Sequence, residues 1–408
     1  MSEWKEYKIG DICRIKHGFA FKGIHFVDEP QKYVCVTPGN FALKGGFKND
    51  KPKYYNGPIP EDYVLYKDDL VVTMTDLSKN SDTLGYSALI PEDNNYVFLH
   101  NQRIGLTEGI SQEIDKHFLY WVMRTYDYQR YIVGHCSGST VKHTSPSGIG
   151  SYIFRCPDIN TQREISSILC SLDDKIAVNK KICENLEAQA QALFKHWFVD
   201  FAPFKDGKFV ESELGLIPEG WRVGTLGDIC SYSTRRISFD DLSPQTYYST
   251  ENMLPNKMGA VEASSLPNVG TTTGCEPFDV LVSNIRPYFK KILRVDSICG
   301  CSSDVMCFHP TGSKYRAYLY RILYDDSFFS FIMAGSKGTK MPRGDKQQIM
   351  KYPIVLPHES VLDHFSNCVE AMFSMTSSLK QESLRLSTLR DTLLPKLMSG
   401  QIKVDDLK

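Results

Sequence analysis

Acids, lysines, histidines and cysteines could make this chain an enzyme in several ways, and the sequence completes none of them. Pro157-Asp158 followed by Asp173-Asp174-Lys175 carries the letters of a metal-dependent nuclease of the PD-(D/E)xK type. Such a centre draws its carboxylates and lysine from adjacent strands, whereas Asp173 and Lys175 lie two apart on a helical repeat, where i and i+2 do not share a face. A DNA adenine methyltransferase needs a glycine-rich cofactor loop and an Asn/Asp-Pro-Pro-aromatic motif for the flipped base; the chain has no Pro-Pro dipeptide. Nor does it contain the GxxxxGK[ST] phosphate loop of an ATP-driven motor. His17, His25, His100, His135, His143 and His309 have no partners at metal-ligand spacing and read as solvated or core histidines. The 12 cysteines include no CxxC pair, and only Cys299 and Cys301 stand close together, so neither a zinc ribbon nor a disulfide framework is indicated.

What the sequence does contain is a repeat. Trp4 and Ile9–Cys13 (IGDIC) recur as Trp221 and Leu226–Cys230 (LGDIC) at a constant offset. Farther on, Leu119-Tyr120 aligns with Leu319-Tyr320, Gly138 with Gly338, Ile149 with Ile349, Tyr152 with Tyr352 and Pro157 with Pro357. Gly207-Lys208-Phe209 resembles Gly400-Gln401-Ile402 near the end. Ordered matches along the whole chain indicate an internal duplication.

Within each copy, short β-like runs such as Tyr33–Val36, Leu70–Met74 and Tyr96–Leu99 are broken by turn residues, and Val280–Ser283 repeats the pattern. Phe118–Tyr131 and Arg316–Met333 read as one helix each. After Pro157 the period changes: Leu172, Ile176, Asn179, Cys183, Leu186, Ala190, Leu193 and Trp197 alternate spacings of four and three, a coiled-coil seam. Phe365, Cys368, Met372, Met375, Leu379, Glu382, Leu386, Leu389 and Leu393 do the same. Each stretch is long enough for a helix of ~54 Å at ~1.5 Å per residue. Pairing the two antiparallel covers both stripes, with Asn179 and Glu382 as polar register markers. The expected fold is α+β, with two globular domains separated by two long antiparallel helices in a pseudo-two-fold repeat. The expected boundaries are a first domain over 1–156, a helical spacer over 157–200, a Pro/Gly-rich linker over 201–220, a second domain over 221–356 and a second helical region over 357–408.

The chain has 408 residues. At roughly 150 residues per domain, that length suits two or three domains. The hydrophobic fraction is 42% and the charged fraction 23%. Both match soluble globular proteins. The N-terminus reads as no signal peptide and no segment approaches a membrane span, so a cytoplasmic location and no membrane contact are expected. A formal net charge of -1 provides no global attraction to nucleic acid, which leaves local patches. Arg286, Lys290, Lys291 and Arg294 form one, and Lys337, Lys340, Arg343 and Lys346 another; each alone reads equally as solvated surface.

The run RCPDINTQREISSILCSLDDKIAVNKKICENLEAQAQALFKHWFVDF, with PFKDGKFVESELGLIPEGW after it, resembles the specificity subunit of Type I restriction-modification enzymes. Pro157, Gln162, Asp173, Lys175, Asn179, Glu187, Phe194, Trp197, Asp200 and Trp221 are among the residues that carry the resemblance, and LLPKLMSGQIKV looks like the family's C-terminal ending. The second copy departs from it at Leu362, where the first has Gln162. The resemblance implies two target-recognition domains, each docking one half of an interrupted double-stranded DNA sequence in a bacterial or archaeal cell. It implies a non-catalytic chain with no cofactor or metal of its own. Two modification (methyltransferase) subunits would use S-adenosylmethionine to methylate adenine, and restriction subunits would supply ATP- and magnesium-dependent translocation and nuclease activity. The specificity chain of a bifunctional Type II system would differ in partners rather than residues, and a self-contained nuclease or methyltransferase, or a scaffold whose two domains bind proteins and not DNA, are the remaining alternatives.

Base reading needs hydrogen-bonding side chains on loops, flanked by positive groups for phosphates. In the first copy the windows are 73–80, 101–103 and 139–147, with Thr75, Lys79, Asn80, Asn101, Gln102, Arg103, Ser139, Lys142 and His143 as candidates. In the second they are 283–291, 302–304 and 337–346, with Asn284, Arg286, Tyr288, Lys290, Lys291, Ser303, Lys337, Lys340 and Arg343. Arg103, Arg286 and Arg343 suit guanine or phosphate, Asn101, Gln102 and Asn284 suit adenine, and Lys142, Lys290 and Lys340 suit phosphate. Leu172, Ile176, Asn179, Leu186, Leu193 and Trp197, with Met372, Leu379, Glu382, Leu386 and Leu393, are the candidates for helix pairing and partner contact.

Overall fold

The structure, a computed structural model, describes residues 4–76, 78, 81–267, 270–338 and 340–407. It divides into two compact units. Unit 1 comprises Met1–Ala177 with Ser383–Lys408, and unit 2 comprises Val178–Glu382, so the division falls inside both long helices.

The repeated pentapeptide begins each unit's core. In unit 1, Ile9, Ile12 and Cys13 are buried and the Cys13 thiol donates to the Ile9 carbonyl at 3.5 Å. In unit 2, Leu226, Ile229 and Cys230 are buried and Cys230 donates to Leu226 at 3.3 Å. Gly10 explains the glycine between them: a Cβ there would stand 3.1 Å from the Gly150 carbonyl oxygen. Just before each motif a strand closes on the end of its own domain, Lys5–Lys8 pairing with Ile153–Cys156 and Arg222–Thr225 with Pro353–Leu356, both antiparallel.

Each unit is built on a four-stranded sheet of the same order. Unit 1 arranges Arg14–His17, Ile104–Glu108, Leu70–Thr73 and Ser87–Leu89; unit 2 arranges Cys230–Tyr232, Val305–Pro310, Val280–Ser283 and Ile292–Arg294. Leu70–Thr73 and Val280–Ser283 are buried at every position, as continuous apolar runs require when both faces are covered. A second sheet flanks each: five strands in unit 1, including Tyr33–Val36 parallel to Val97–His100, and four in unit 2, including Tyr247–Tyr248 parallel to Cys299–Cys301.

The expected single helices are each two. Lys116–Val122 is followed by Tyr126–Gly134, because Thr125 leaves helical geometry and its hydroxyl accepts from the Tyr128 amide. Arg316–Tyr324 is followed by Asp326–Ala334, with Asp325 capping through the Ser327 amide at 2.8 Å.

The long helices are Ile159–Phe194 and Glu359–Met398. Their paired halves run antiparallel within each unit: in unit 2 Asn179 donates to Glu382 at 2.7 Å while Cys183 reaches the Thr376 carbonyl. The stripes are covered unevenly. Asn179 and Leu393 are buried, Leu172, Ile176, Leu186, Leu193, Trp197, Met372, Leu379, Glu382 and Leu386 are half-buried, and Met375 and Leu389, expected in the seam, are about half exposed. Two helices alone cover a narrow strip, so deep burial is found where a helix also meets a globular fold: Ile165 and Leu169 in unit 1, and Phe194, Leu362, Phe365 and Val369 in unit 2.

Residues 201–220, expected as a linker, are folded. Phe209–Ser212 and Gly215–Pro218 form a hairpin, Ile217 is buried, and the Phe201 and Phe204 rings pack on Trp221 at 5.7 and 4.8 Å. The glycines and prolines there serve turns, and the aromatics between them anchor the segment.

The letters of the nuclease motif have structural work. Asp158 caps the first long helix through the Asn160 and Thr161 amides. Asp173 accepts from Arg124 at 2.6 Å and from Arg390 at 2.5 Å, tying the domain and both helix halves of unit 1 together.

Candidate nucleic-acid interface

The three windows of unit 1 converge at one end of its central sheet. Thr73 pairs with Ile104, and just beyond it the Met74 amide donates to the Arg103 carbonyl at 2.9 Å, joining the first window to the second. The chain then pairs Thr75-Asp76 with Lys142-His143, and the Thr144 amide donates to the Met74 carbonyl at 3.0 Å, which adds the third. His143 is bridged on its other side by Ser137, and its Nδ1 lies 3.1 Å from the Thr75 hydroxyl.

Unit 2 repeats this arrangement. Ser283 pairs with Val305, the Asn284 amide donates to the Asp304 carbonyl at 2.8 Å, Ile285 bridges Arg343, and Lys337 bridges Arg343 from the other side. One side-chain bond is also common to both: Thr73 donates to the Thr75 carbonyl at 2.9 Å, and Ser283 to the Ile285 carbonyl at 3.1 Å. Equivalent backbone positions therefore hold Met74 and Asn284, Arg103 and Asp304, His143 and Arg343.

The loop leaving Thr75 is organised by Asp76, a residue not singled out from sequence. It is buried, and its carboxylate accepts from the amides of Ser78, Thr83 and Leu84. Burial pushes its pKa upward, but these hydrogen bonds outweigh burial and hold it below the usual carboxylate value. Only an acid that many amides solvate could stay charged there. Lys79 and Asn80 lie outside the described residues.

The candidates separate by exposure. Arg103, Ser139, His143, Arg286, Tyr288, Ser303, Lys337, Lys340 and Arg343 are exposed, and Gln102, Lys142 and Asn284 are half-buried. Thr75 and Asn101 are buried; Asn101 turns inward and accepts the Arg103 amide at 3.1 Å, so it shapes the turn instead of offering an adenine edge. Two candidate lysines, of which Lys290 was expected to meet phosphate, are engaged within the protein. Lys290 pairs with Asp326 at 2.8 Å, and Lys291 donates to the Thr250 carbonyl, its pKa lowered by burial. Lys337 is paired with Asp345 at 3.0 Å, and Arg343 with Asp304 at 3.1 Å. Arg286 and Lys290 flank the turn Pro287–Phe289 with left-handed backbones, at φ 51 and φ 50. That conformation is costly for residues with a Cβ.

A cavity of about 1240 Å³ lies elsewhere in unit 1, between Trp4, Arg124, Tyr152 and Leu397–Asp405, and none of the reading-window candidates lines it. Among the described residues no group of three or more His, Cys, Asp or Glu could hold a metal ion, and no helix is long and apolar enough to cross a membrane. Two units with the same loop framework and different side chains on it define a modular recognition protein.

Comparison with known proteins gives the class its name. Residues 1–188 match the Type I restriction modification DNA specificity domain. The chain is 27% identical over 338 residues to the Type I restriction enzyme MjaIX specificity subunit of Methanocaldococcus jannaschii, covering 76% of each. It is 24% identical to the HindI specificity subunit of Haemophilus influenzae, covering 98% of this chain and 100% of that one. Its fold is similar to the crystal structure of the Type-I restriction-modification system S subunit from M. genitalium, with a TM-score of 0.58 at 15% identity over 97% of this chain and 96% of that one. Residues 1–188 thus match the family's DNA specificity domain, and along most of its length the chain is similar to specificity subunits of Type I restriction-modification systems, as the resemblance in its helical regions implied.

Proposed function

We propose that the chain reads a two-part, interrupted sequence in double-stranded DNA, unit 1 taking one half and unit 2 the other. The observation that carries this is the repeated convergence of three windows on the same backbone framework. The first reading domain is taken as 1–156 and the second as 221–356, with the helical regions 157–200 and 357–408 as the surface for partners. Those partners are two modification subunits, which methylate adenine with S-adenosylmethionine, and restriction subunits that use ATP and magnesium. The assembly acts in the cytoplasm of a bacterium or archaeon.

A loop cluster of this size reaches only a few base pairs of one major-groove stretch, so a usefully rare target needs two of them. The test is a domain exchange read by methylome sequencing of cells that express the chain with its modification partner. Replacing residues 1–156 by those of a relative should change one half of the methylated sequence and leave the other half as it was. A change in both halves would refute the division of labour.

A further inference from the structure

Resting on that DNA-reading role, we infer that Arg343 is the residue with which unit 2 recognises a guanine, and that Asp304 positions its guanidinium for the task. A guanidinium reads guanine by offering two parallel N–H donors to O6 and N7, which no other base pair presents in the same pattern. A free arginine side chain must be ordered to do so, and a fork already oriented loses less freedom on binding.

Arg343 meets this requirement from both ends. Its backbone is bridged on two sides, by Ile285 and by Lys337, with the Arg343 amide donating to the Lys337 carbonyl at 3.0 Å and the Lys337 amide returning a bond at 2.9 Å. Its guanidinium holds Asp304 through one terminal nitrogen at 3.1 Å, and the side chain remains 56% exposed. One part of the fork is tethered and the rest faces solvent. Asp304 is fixed in turn, because its carbonyl accepts from Asn284 at the end of the central sheet.

The equivalent positions of unit 1 show that the pair is a choice rather than a demand of the fold. The same backbone bonds hold Arg103 where unit 2 has Asp304, and His143 where it has Arg343. His143 faces the Thr75 hydroxyl instead of a carboxylate. The two units therefore present different chemistry from one framework, and the arginine with a carboxylate buttress belongs to unit 2.

A phosphate would also accept from a guanidinium, so the experiment separates the two. The chain is assembled with its adenine-methylating modification subunits, and methylation rates are measured on duplexes in which each base pair of both halves is changed in turn. Arg343→Ala should flatten the preference at a single G·C pair in one half, by roughly 5- to 150-fold. The profile of the other half should stay as in the wild type. Arg343→Lys, which retains the charge and the fold but not the fork, should flatten the same pair. Asp304→Asn should relax that pair in part with Arg343 intact, and Asp304→Glu should largely restore it, which a merely structural role would not produce.

Uniform weakening across all sequences, with a salt slope reduced by about one, would mean a phosphate contact and overturn the assignment. An unchanged profile, or relaxation at a pair other than G·C, would overturn it as well. Absence of any two-part target for the wild-type assembly would instead remove the DNA-reading role on which the inference rests.

Discussion

Arg321 is a fully buried charge in unit 2 and the sharpest place to test how the globular fold of that unit is fastened to its helix. It has no solvent exposure, yet it stands on the helix Arg316–Tyr324 and forks onto Glu187 of the first long helix, at 2.6 and 2.9 Å, with Gln191 at 3.3 Å. Phe373 and Tyr320 lie under the guanidinium at 5.1 and 4.9 Å. Removing one member of a buried pair costs about 3–5 kcal/mol when the survivor is left uncompensated. In Glu187→Gln an acceptor survives, and Glu187 is 33% exposed, so water can reach the site. The expected loss therefore falls to roughly 2–3 kcal/mol. For a unit of this size that is a fall of about 4–12 °C in its melting temperature. Calorimetry and amide exchange of the Arg316–Tyr324 peptides should report it together. The double variant Arg321→Met, Glu187→Leu should recover much of the loss, since matched apolar groups replace buried ion pairs at little cost. A loss below ~0.5 kcal/mol for Glu187→Gln would refute the claim that this pair fastens the domain.

The acid response of unit 1 should include Asp76, whose folded pKa is depressed. Its unfolded value is ~3.9, so its contribution is present above that pH and disappears as the pH falls through the folded value. Exchange at the Thr83 and Leu84 amides should be flat at neutral pH after correction for intrinsic rates and rise below about pH 4. Asp76→Asn should lose about 2 kcal/mol of local protection at neutral pH and show no such step; an unchanged step in the variant would count against the assignment. Ser283→Ala removes the bond to the Ile285 carbonyl. That bond is worth about 1 kcal/mol, and its loss should blunt discrimination in the half read by unit 2 without changing the preferred bases. A new preferred base in the methylation profile would show that Ser283 reads rather than supports.

Much of the fold was legible because the repeated residues are the ones the core cannot vary. Ile9, Cys13, Leu226 and Cys230 are spaced by the thiol-to-carbonyl bonds and buried contacts they make, so duplication survives there as sequence. The long helices announced themselves through the period of Leu172, Ile176 and their successors, but periodicity could not say that Met375 and Leu389 would be exposed, since that depends on how much of the helix the globular fold covers. The candidate windows were chosen by polarity on loops, and their convergence was not visible, because backbone bonds such as Met74 to Arg103 leave no mark on residue type. For the same reason Lys290 and Lys291 looked free: their partners, Asp326 and Thr250, are distant along the chain.

The division between framework and side chain also explains how one architecture can read unrelated half-sites. The bonds that gather the three windows run mainly from backbone to backbone, so they are indifferent to what residues 103, 143, 304 and 343 carry. Arg103, His143 and Arg343 are exposed and Asp304 is half-exposed. Substitutions at such surface positions usually change stability by no more than about 0.5 kcal/mol. Recognition can therefore be rewritten at these positions while the fold stays above its stability threshold. The reverse holds for the residues beneath. Thr73 and Ser283 are buried and hold the turn that presents them, so a change there disturbs the frame of a unit and not one position on it. Arg103 and His143 in unit 1, and Asp304 and Arg343 in unit 2, are thus two settings of a single frame, and the frame constrains neither setting.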